Sequence, residues 1–180
     1  TLALKLQLIT AQRKGEVAGA EWVNFDLKDG WWTIPAEKSK NGFPHRVPLS
    51  SLAMETLNEL EELTGSSRWL FPSPRDGQHI AETSVDHAVR ENAEHFEVDH
   101  FTPHDLRRTA ASMMTASGIQ RLTVAKVLNH VESGVTAVYD RHSYDKEKQK
   151  GLRSWGRQLE AILGHKTSSK VIPIRNSKMT

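Results

Sequence analysis

The fold class is decided by residues 22–49, which read WVNFDLKDGWWTIPAEKSKNGFPHRVPL. Three short strand patterns lie within this stretch, at residues 22–27, 31–35 and 46–49. Asp29-Gly30 is a two-residue hairpin signal between the first two patterns, and residues 38–42 form a second turn. The stretch therefore predicts a small three-stranded antiparallel sheet.

Helical patterns flank this sheet on both sides. The apolar residues 2–9 predict a helix that ends at Gly15. Three further helices are predicted to begin at Ser50 or Ser51, at Thr83 or Ser84, and at Thr102. A fourth is predicted to cover residues 121–128 and to stop at Asn129. A short helix is predicted around residue 139, and a longer one after it is predicted to stop at Gly164. The predicted fold class is α+β and mainly α.

The domain organisation is predicted from the same patterns. Residues 1–164 are expected to form one domain, and residues 165–180 a basic tail. The tail contains one apolar segment, residues 171–174. This segment is predicted either to add as an edge strand to a neighbouring protomer or to be disordered.

The composition indicates a globular protein with an uneven charge distribution. No apolar run approaches the ~18–20 residues of a membrane span, and no signal-peptide pattern opens the chain. The absence of cysteine excludes disulfides and thiolate nucleophiles and fits a reducing cytoplasm. The net charge is −6 for residues 1–100 and +8 for residues 101–180. A basic half of this kind indicates a face for a polyanion or, alternatively, a solvated helix surface.

Five sequence motifs are each ordinary alone but occur together in one order. They are residues 10–16 with Arg13 and Glu16, Lys40 eight residues before Pro48, His104-Asp105-Leu106-Arg107-Arg108, Leu128-Asn129-His130, and Tyr139 nine residues after His130. Over roughly residues 1–150 the chain resembles the catalytic domain of the tyrosine recombinases, or phage integrases. Ala11 and Asn129 stand where the family commonly has glycine, and asparagine can serve the same left-handed turn.

The resemblance implies chemistry on a DNA phosphodiester. In-line attack places extra negative charge on the non-bridging phosphate oxygens, which the guanidiniums of Arg13 and Arg107 are suited to bind. Tyr139 is then the nucleophile. Tyr144 is the other tyrosine of the chain and its competitor, and the spacing from His130 favours Tyr139. The expected product is a 3′-phosphotyrosyl intermediate with a free 5′-hydroxyl.

The resemblance also implies supporting roles for the remaining motif residues. Lys40, with Lys38 as the alternative, is the expected general acid for the leaving 5′-oxygen. His104 is expected to transfer a proton with the tyrosine, and His130 to donate a hydrogen bond to a phosphate oxygen. Glu16 is expected to orient its neighbours without reacting. Because the covalent link conserves the bond energy, no nucleotide cofactor and no metal ion are expected.

The predicted function is site-specific DNA recombination of the integrase type, with integration or excision of a mobile element. The alternatives are type IB topoisomerase-like DNA relaxation and a DNA-binding module without catalysis. His104 favours the recombinase, because topoisomerases of that kind tend to carry lysine at its position.

The predicted partners follow from the same resemblance. They are double-stranded DNA at attachment sites and further copies of the chain in a homotetramer on synapsed DNA, formed from free monomers. DNA-bending proteins are expected as accessory factors, and no membrane is expected. The expected location is the cytoplasm of a bacterial host, at the nucleoid. Family members usually carry an N-terminal domain that clamps DNA, and no such domain is recognised in this sequence.

Overall fold

A computed structural model of the protein describes residues 2–74, 77–131 and 142–164. Within these ranges the chain forms seven α-helices and three β-strands. The helices are α1 (Leu2–Thr10), α2 (Lys14–Ala18), α3 (Ser51–Thr64), α4 (Glu82–Glu91), α5 (Pro103–Ala116), α6 (Arg121–Val127) and α7 (Asp145–Ile162), and the strands are β1 (Phe25–Asp26), β2 (Trp31–Ile34) and β3 (His45–Pro48). No helix in these ranges is both long and apolar enough to cross a membrane. The predicted α+β class, mainly helical, is confirmed.

The three strands form one antiparallel sheet in the order β1-β2-β3. Ile34 pairs with His45 next to the β2–β3 turn. In the predicted hairpin turn between β1 and β2, the N–H of Gly30 donates to the carbonyl of Asp26 at 2.9 Å. Gly30 has a φ of 72°, which glycine adopts without a Cβ clash. Strand β1 is shorter than predicted because Trp22–Asn24 form a 3-10 turn.

Helix α1 lies at the centre of the fold, in contact with α2, α3, α5 and α7. Leu6 of α1 is fully buried, in one core with Leu57 of α3, Met114 of α5 and Trp155 of α7. The indole N–H of Trp155 donates to the carbonyl of Leu8 at 2.9 Å. Since burying a side chain of this size contributes about 1.5–3 kcal/mol, these contacts fix the helices relative to α1.

The prediction that the first helix ends at Gly15 is wrong. Helix α1 ends at Thr10, Ala11 has a left-handed φ of 57°, and Gly15 lies inside α2. The break is held by a distant residue, because the guanidinium of Arg107 donates to the carbonyl of Ala11 at 2.7 Å. The break places Arg13 at the N-cap of α2.

Most other predicted helix ends are confirmed. Ser50 caps α3 and accepts the N–H of Ala53. At the start of α5, the N–H and the hydroxyl of Thr102 donate to Asp105 at 2.9 and 2.7 Å. At the other ends, Asn129 and Gly164 have φ of 50° and 71°, the left-handed conformation that ends a helix.

The predicted start of the helix before α5 is wrong. Neither Thr83 nor Ser84 opens it, because α4 begins at Glu82. Glu82 lies 3.7 Å from the ammonium of Lys14 on α2. An acidic residue in the first turn also interacts favourably with the helix dipole, so tertiary contact and charge extend the helix by one residue or two.

Three sequence predictions concern residues that the structure does not describe. These are the short helix around residue 139, the strand at residues 171–174 and the fate of the tail at residues 165–180. All three stay predictions.

Two glycines of α7 have different amounts of space around them. A Cβ added to Gly156 would meet the side chain of Ser50 at 2.8 Å, whereas one added to Gly151 would meet Thr123 at 3.5 Å, an ordinary contact. Alanine favours a helix over glycine by about 1 kcal/mol, but overpacking costs about 1–3 kcal/mol. We therefore expect Gly156→Ala to be less stable than Gly151→Ala by about 1–3 kcal/mol in urea denaturation. Equal stability of the two variants would contradict the close packing of α7 on the start of α3.

Candidate active site

The end of helix α6 is the centre of the candidate site. Asn129 has a left-handed backbone, and the N–H groups of Asn129 and His130 donate back to the carbonyls of Lys126 at 3.2 Å and Ala125 at 3.0 Å. This is a Schellman-type helix end. It stops α6 and turns His130 to an exposed position.

The carbonyls at this helix end bind side chains from other elements, because they have no partner within the helix. The carbonyl of Val127 accepts hydrogen bonds from Gln12 at 3.1 Å and from His45 at 3.0 Å. The carbonyl of Leu128 accepts one from Arg107. These bonds bring the segment after α1, strand β3 and helix α5 to one place.

Arg107 is a buried cation bonded to neutral groups. It is 3% exposed, and it donates to the carbonyls of Ala11 at 2.7 Å and of Leu128. No carboxylate among the described residues forms an ion pair with it. Burial and then repulsion from Arg13 lower the pKa of Arg107 to about 10, and Glu16 acts in the opposite direction. The guanidinium therefore stays charged at neutral pH and favours an anion beside it.

Arg13 reaches the same place from the start of α2. Its backbone N–H donates to Glu16 Oε2 at 3.0 Å, and its Nη1 donates to Glu16 Oε1 at 2.9 Å. The Glu16 side chain is 3% exposed and the Arg13 side chain 24%. The buried carboxylate thus holds the guanidinium while solvent still reaches it, which fits the orienting role predicted for Glu16.

Of the two candidate histidines, His130 lies near both guanidiniums and His104 lies on the same side of α5 as Arg107. Partial burial, and then the charges of Arg107 and Arg13, lower the pKa of His130, so the neutral ring is favoured at pH 7. A neutral imidazole can still donate through one ring nitrogen. His104 is exposed in the first turn of α5, three residues before Arg107 and therefore on the same side of the helix.

Lys38 and Lys40 have different environments in the β2–β3 turn. The ammonium of Lys38 donates to the carbonyl of Gly19 at 2.9 Å, pairs with Glu21 and lies 4.6 Å from the ring centre of Trp69. The Lys40 side chain is exposed and forms no hydrogen bond or ion pair with any residue in the described ranges. The geometry therefore favours Lys40 as the lysine available to a substrate.

Tyr139 lies outside the described residues, so its role as the nucleophile stays a prediction. Its competitor Tyr144 stands directly before α7 with a φ of 57°. The Tyr144 ring lies 4.6 Å from the ring of His142 and 4.7 Å from the ammonium of Lys126. Tyr144 is thereby held beside α6, and the spacing argument for Tyr139 is unchanged.

The β2–β3 turn is also bonded to the α6 end. Asn41, the residue after Lys40, donates to Asn129, the residue before His130, at 3.0 Å. The structure therefore brings together the predicted residues Arg13, Glu16, Arg107 and His130, with Lys40 on the attached turn and His104 on the adjoining side of α5. Arg13, Arg107 and Lys40 are cations and Glu16 is the one carboxylate among these candidate residues, so the group is positively charged overall.

Comparison with known proteins identifies the family. The model of the phage integrase family matches residues 1–146. The chain belongs to the phage integrase family. The prophage integrase IntZ of Escherichia coli K12 is 28% identical over 162 residues, which cover 89% of this chain and 40% of the relative. The integrase of enterobacteria phage P4 is 28% identical over 169 residues, with 86% and 38% covered. The chain spans about two fifths of the length of these curated relatives.

Solved structures of other phage integrases share the fold of this family member. The integrase from mycobacterium phage Brujita superposes with a TM-score of 0.66 at 21% identity, covering 84% of this chain and 50% of that chain. A lambda integrase tetramer bound to a Holliday junction gives a TM-score of 0.58 at 24% identity, covering 80% and 42%. The predicted tyrosine recombinase type of fold is confirmed.

Sequence reasoning missed two buried residues in this integrase-family site. Gln12 is fully buried and donates to Val127, and His45 is 5% exposed and faces the same carbonyl. Burial, and then the charge of Lys148, lower the pKa of His45 to about 4. The sequence signal that could have indicated a buried His45 is strand alternation. Neighbouring side chains of a strand point to opposite faces, and Arg46 points outward, so His45 points inward.

The pKa of His45 predicts a pH dependence of stability. Its pKa of about 4 in the folded protein lies below the ordinary value of 6.5, so the unfolded state binds the proton more readily. The stabilisation from the neutral ring is complete above pH 6.5 and is lost as the pH falls towards 4. Between pH 7 and pH 5 we expect His45 to lower the free energy of unfolding by about 2 kcal/mol.

His45→Gln is the matched variant for this measurement. Its amide can still donate to Val127, but it does not titrate. Urea denaturation at several pH values should show a shallower decline for the variant than for the unaltered chain. Identical slopes would contradict a buried neutral His45.

Proposed function

We propose that residues 1–164 form the catalytic domain of a site-specific DNA recombinase that integrates or excises a mobile element. One observation carries the proposal. Arg13 and Arg107 come from distant segments of the chain, yet the charges of both lower the pKa of His130, and the charge of Arg13 also lowers the pKa of Arg107. The carboxylate of Glu16 raises the pKa of Arg107 by less than Arg13 lowers it. Paired guanidiniums of this kind suit a phosphodiester, and membership of the phage integrase family supports the same conclusion.

Arg13 and Arg107 bind the non-bridging oxygens of the scissile phosphate in this proposal. Arg107 uses one N–H on Ala11 and one on Leu128, so its plane is fixed and further donors remain for the substrate. Donors fixed in advance stabilise the charge that develops during attack, and each contributes about 2.7–4 kcal/mol in comparable sites.

Tyr139 supplies the nucleophile. Its phenol oxygen forms a bond to phosphorus while the bond from phosphorus to the 5′-oxygen breaks. The phenol proton passes to His104, and Lys40 gives a proton to the departing 5′-oxygen. His130 donates a hydrogen bond to a phosphate oxygen. The 5′-hydroxyl of a partner strand reverses these steps, and the reaction requires no nucleotide or metal ion.

The proposed substrate is double-stranded DNA at attachment sites, and the proposed assembly is a homotetramer formed from monomers on synapsed DNA. The structural relative from phage lambda is a tetramer bound to a Holliday junction, which supports both. DNA-bending proteins are proposed as accessory factors. The sequence relatives include a prophage integrase of a bacterium, so the proposed location is the cytoplasm of a bacterial host, at the nucleoid.

Covalent capture tests the proposed reaction. In a DNA duplex nicked beside the target phosphate, the short 5′-hydroxyl fragment diffuses away after cleavage and the protein stays attached. We expect the unaltered chain to form this adduct on a denaturing gel, and Tyr139→Phe to form none, because phenylalanine has no hydroxyl. Tyr144→Phe is the matched control and should retain capture.

Each other outcome of this experiment favours a different interpretation. An adduct formed by Tyr139→Phe would move the nucleophile to Tyr144. Relaxation of a supercoiled plasmid of arbitrary sequence, with no recombinant from paired sites, would favour topoisomerase-like activity. If the protein bound DNA from the ends of the mobile element but never formed a covalent adduct with it, the result would favour a DNA-binding module without catalysis.

The two lysines of the β2–β3 turn give a second prediction. We expect Lys40→Ala to slow cleavage by about 10²–10⁴-fold without changing the free energy of unfolding, because this side chain is exposed. Lys38→Ala loses its bonds to Gly19 and Glu21 and should lower stability by about 1 kcal/mol with a smaller effect on cleavage. Single-turnover cleavage and urea denaturation measure both effects. A larger cleavage loss in Lys38→Ala would assign the general acid to Lys38.

A further inference from the structure

Three polar side chains bond the β2–β3 turn to the end of α6, and we call them the asparagine clip: Ser39, Asn41 and Asn129. The Asn129 amide donates to the hydroxyl of Ser39 at 2.9 Å and to Asn41 Oδ1 at 3.3 Å. The Asn41 amide donates back to Asn129 Oδ1 at 3.0 Å. The two asparagines are therefore paired in both directions.

The asparagine clip connects the neighbours of two candidate site residues. Ser39 and Asn41 directly flank Lys40, and Asn129 directly precedes His130. Asn41 also donates to the backbone carbonyl of Asn129 at 3.3 Å. A movement of the turn away from α6 would therefore break bonds on both sides of Lys40.

A second attachment holds the start of the same turn. The ammonium of Lys38 donates to the carbonyl of Gly19 at 2.9 Å and pairs with Glu21. Three of the four residues 38–41 are thus bonded to the body of the protein. Lys40 is the exception, with an exposed side chain that has no partner in the described part of the chain.

The end of α6 does not require the side chain of Asn129. The backbone N–H groups of Asn129 and His130 make the helix-ending bonds, and the requirement at residue 129 is a φ of 50°. Glycine meets that requirement without strain. The Asn129 amide therefore adds a connection that the helix end alone does not need.

We propose that Asn129 is a positioning residue for the general acid. Acting through Ser39 and Asn41, it holds Lys40 at a set distance from the bound phosphate. The inference rests on the proposed function, because it requires a leaving oxygen for Lys40 to protonate. Restraining the turn before the reaction reduces the conformational entropy lost when the lysine meets that oxygen.

Asn129→Gly tests the proposal because it keeps the left-handed backbone and removes the amide. Cleavage is followed in single turnover on two nicked DNA substrates, with either oxygen or sulfur as the 5′ leaving atom. A thiolate leaves without protonation because its conjugate acid has a low pKa, so the sulfur substrate does not need the lysine. We expect Asn129→Gly to slow the oxygen substrate by about 10- to 100-fold and to leave the sulfur substrate nearly unchanged. Lys40→Ala should show the same pattern.

Two further variants sharpen this test. Asn92→Gly is the matched control, because the Asn92 amide donates to the carbonyl of Ala88 at 2.8 Å at the end of another helix, α4. It should leave the rates on both substrates unchanged. Asn41→Ala should show the oxygen-specific loss. Combined with Asn129→Gly, it should lose less than the product of the two single effects, because the clip acts as one unit.

Several outcomes would overturn the proposal. Equal losses on the two substrates would place the effect of Asn129 in the fold or in His130 instead of in proton transfer. Unchanged rates on both substrates would show that the asparagine clip does not contribute to cleavage. Failure of the proposed function looks different, because then the unaltered chain would cleave neither substrate. If Lys40→Ala cleaved the sulfur substrate as slowly as the oxygen substrate, Lys40 would not be the general acid, and the proposal for Asn129 would fail with it.

Discussion

The candidate site depends on the peptide carbonyls at the end of α6, which cannot be bonded within that helix. Four side chains from three separate segments bond them instead: Gln12 after α1, Asn41 and His45 in the β2–β3 turn and the start of β3, and Arg107 in α5. Because a buried carbonyl without a partner costs about 1–3 kcal/mol, a single physical requirement draws three segments to one point. The convergence of Arg13, Lys40 and His130 follows, since each stands next to a residue that takes part in one of these bonds.

The same carbonyls also determine the charge of the site. They are neutral, so Arg107 gains hydrogen bonds from them and keeps its full charge. A carboxylate partner would satisfy the guanidinium equally well but would neutralise it, and the nearby carboxylate of Glu16 is bonded to Arg13. The result is a buried cation. Burial lowers the pKa of Arg107 to about 10, and keeping the charge buried lowers the stability of the folded protein. In the proposed function a bound phosphate would offset that cost, and local rules are commonly violated at functional sites for such a reason.

The elements that the sequence predicted correctly are those that depend on neighbours in the chain. The Asp29-Gly30 turn, the cap at Thr102 and the stop at Asn129 are of this kind. The break after α1 is not, because Ala11 is held by a residue far along the chain. The candidate site residues were proposed from family resemblance, which carries residue types and spacings. How they are held was not predictable, because a single sequence contains no signal for which buried amide or imidazole meets which carbonyl.

Asn129 shows why the backbone and the side chain of one residue need separate arguments. In terms of the sequence, asparagine and glycine are equivalent at a helix end, because both tolerate a left-handed φ. The equivalence holds for the backbone of Asn129 and fails for its amide, which pairs with Asn41 and reaches Ser39. Glycine would end α6 equally well but would leave the β2–β3 turn with fewer bonds to it. A side chain that the end of α6 does not need thus adds bonds between the turn that carries Lys40 and the residue before His130.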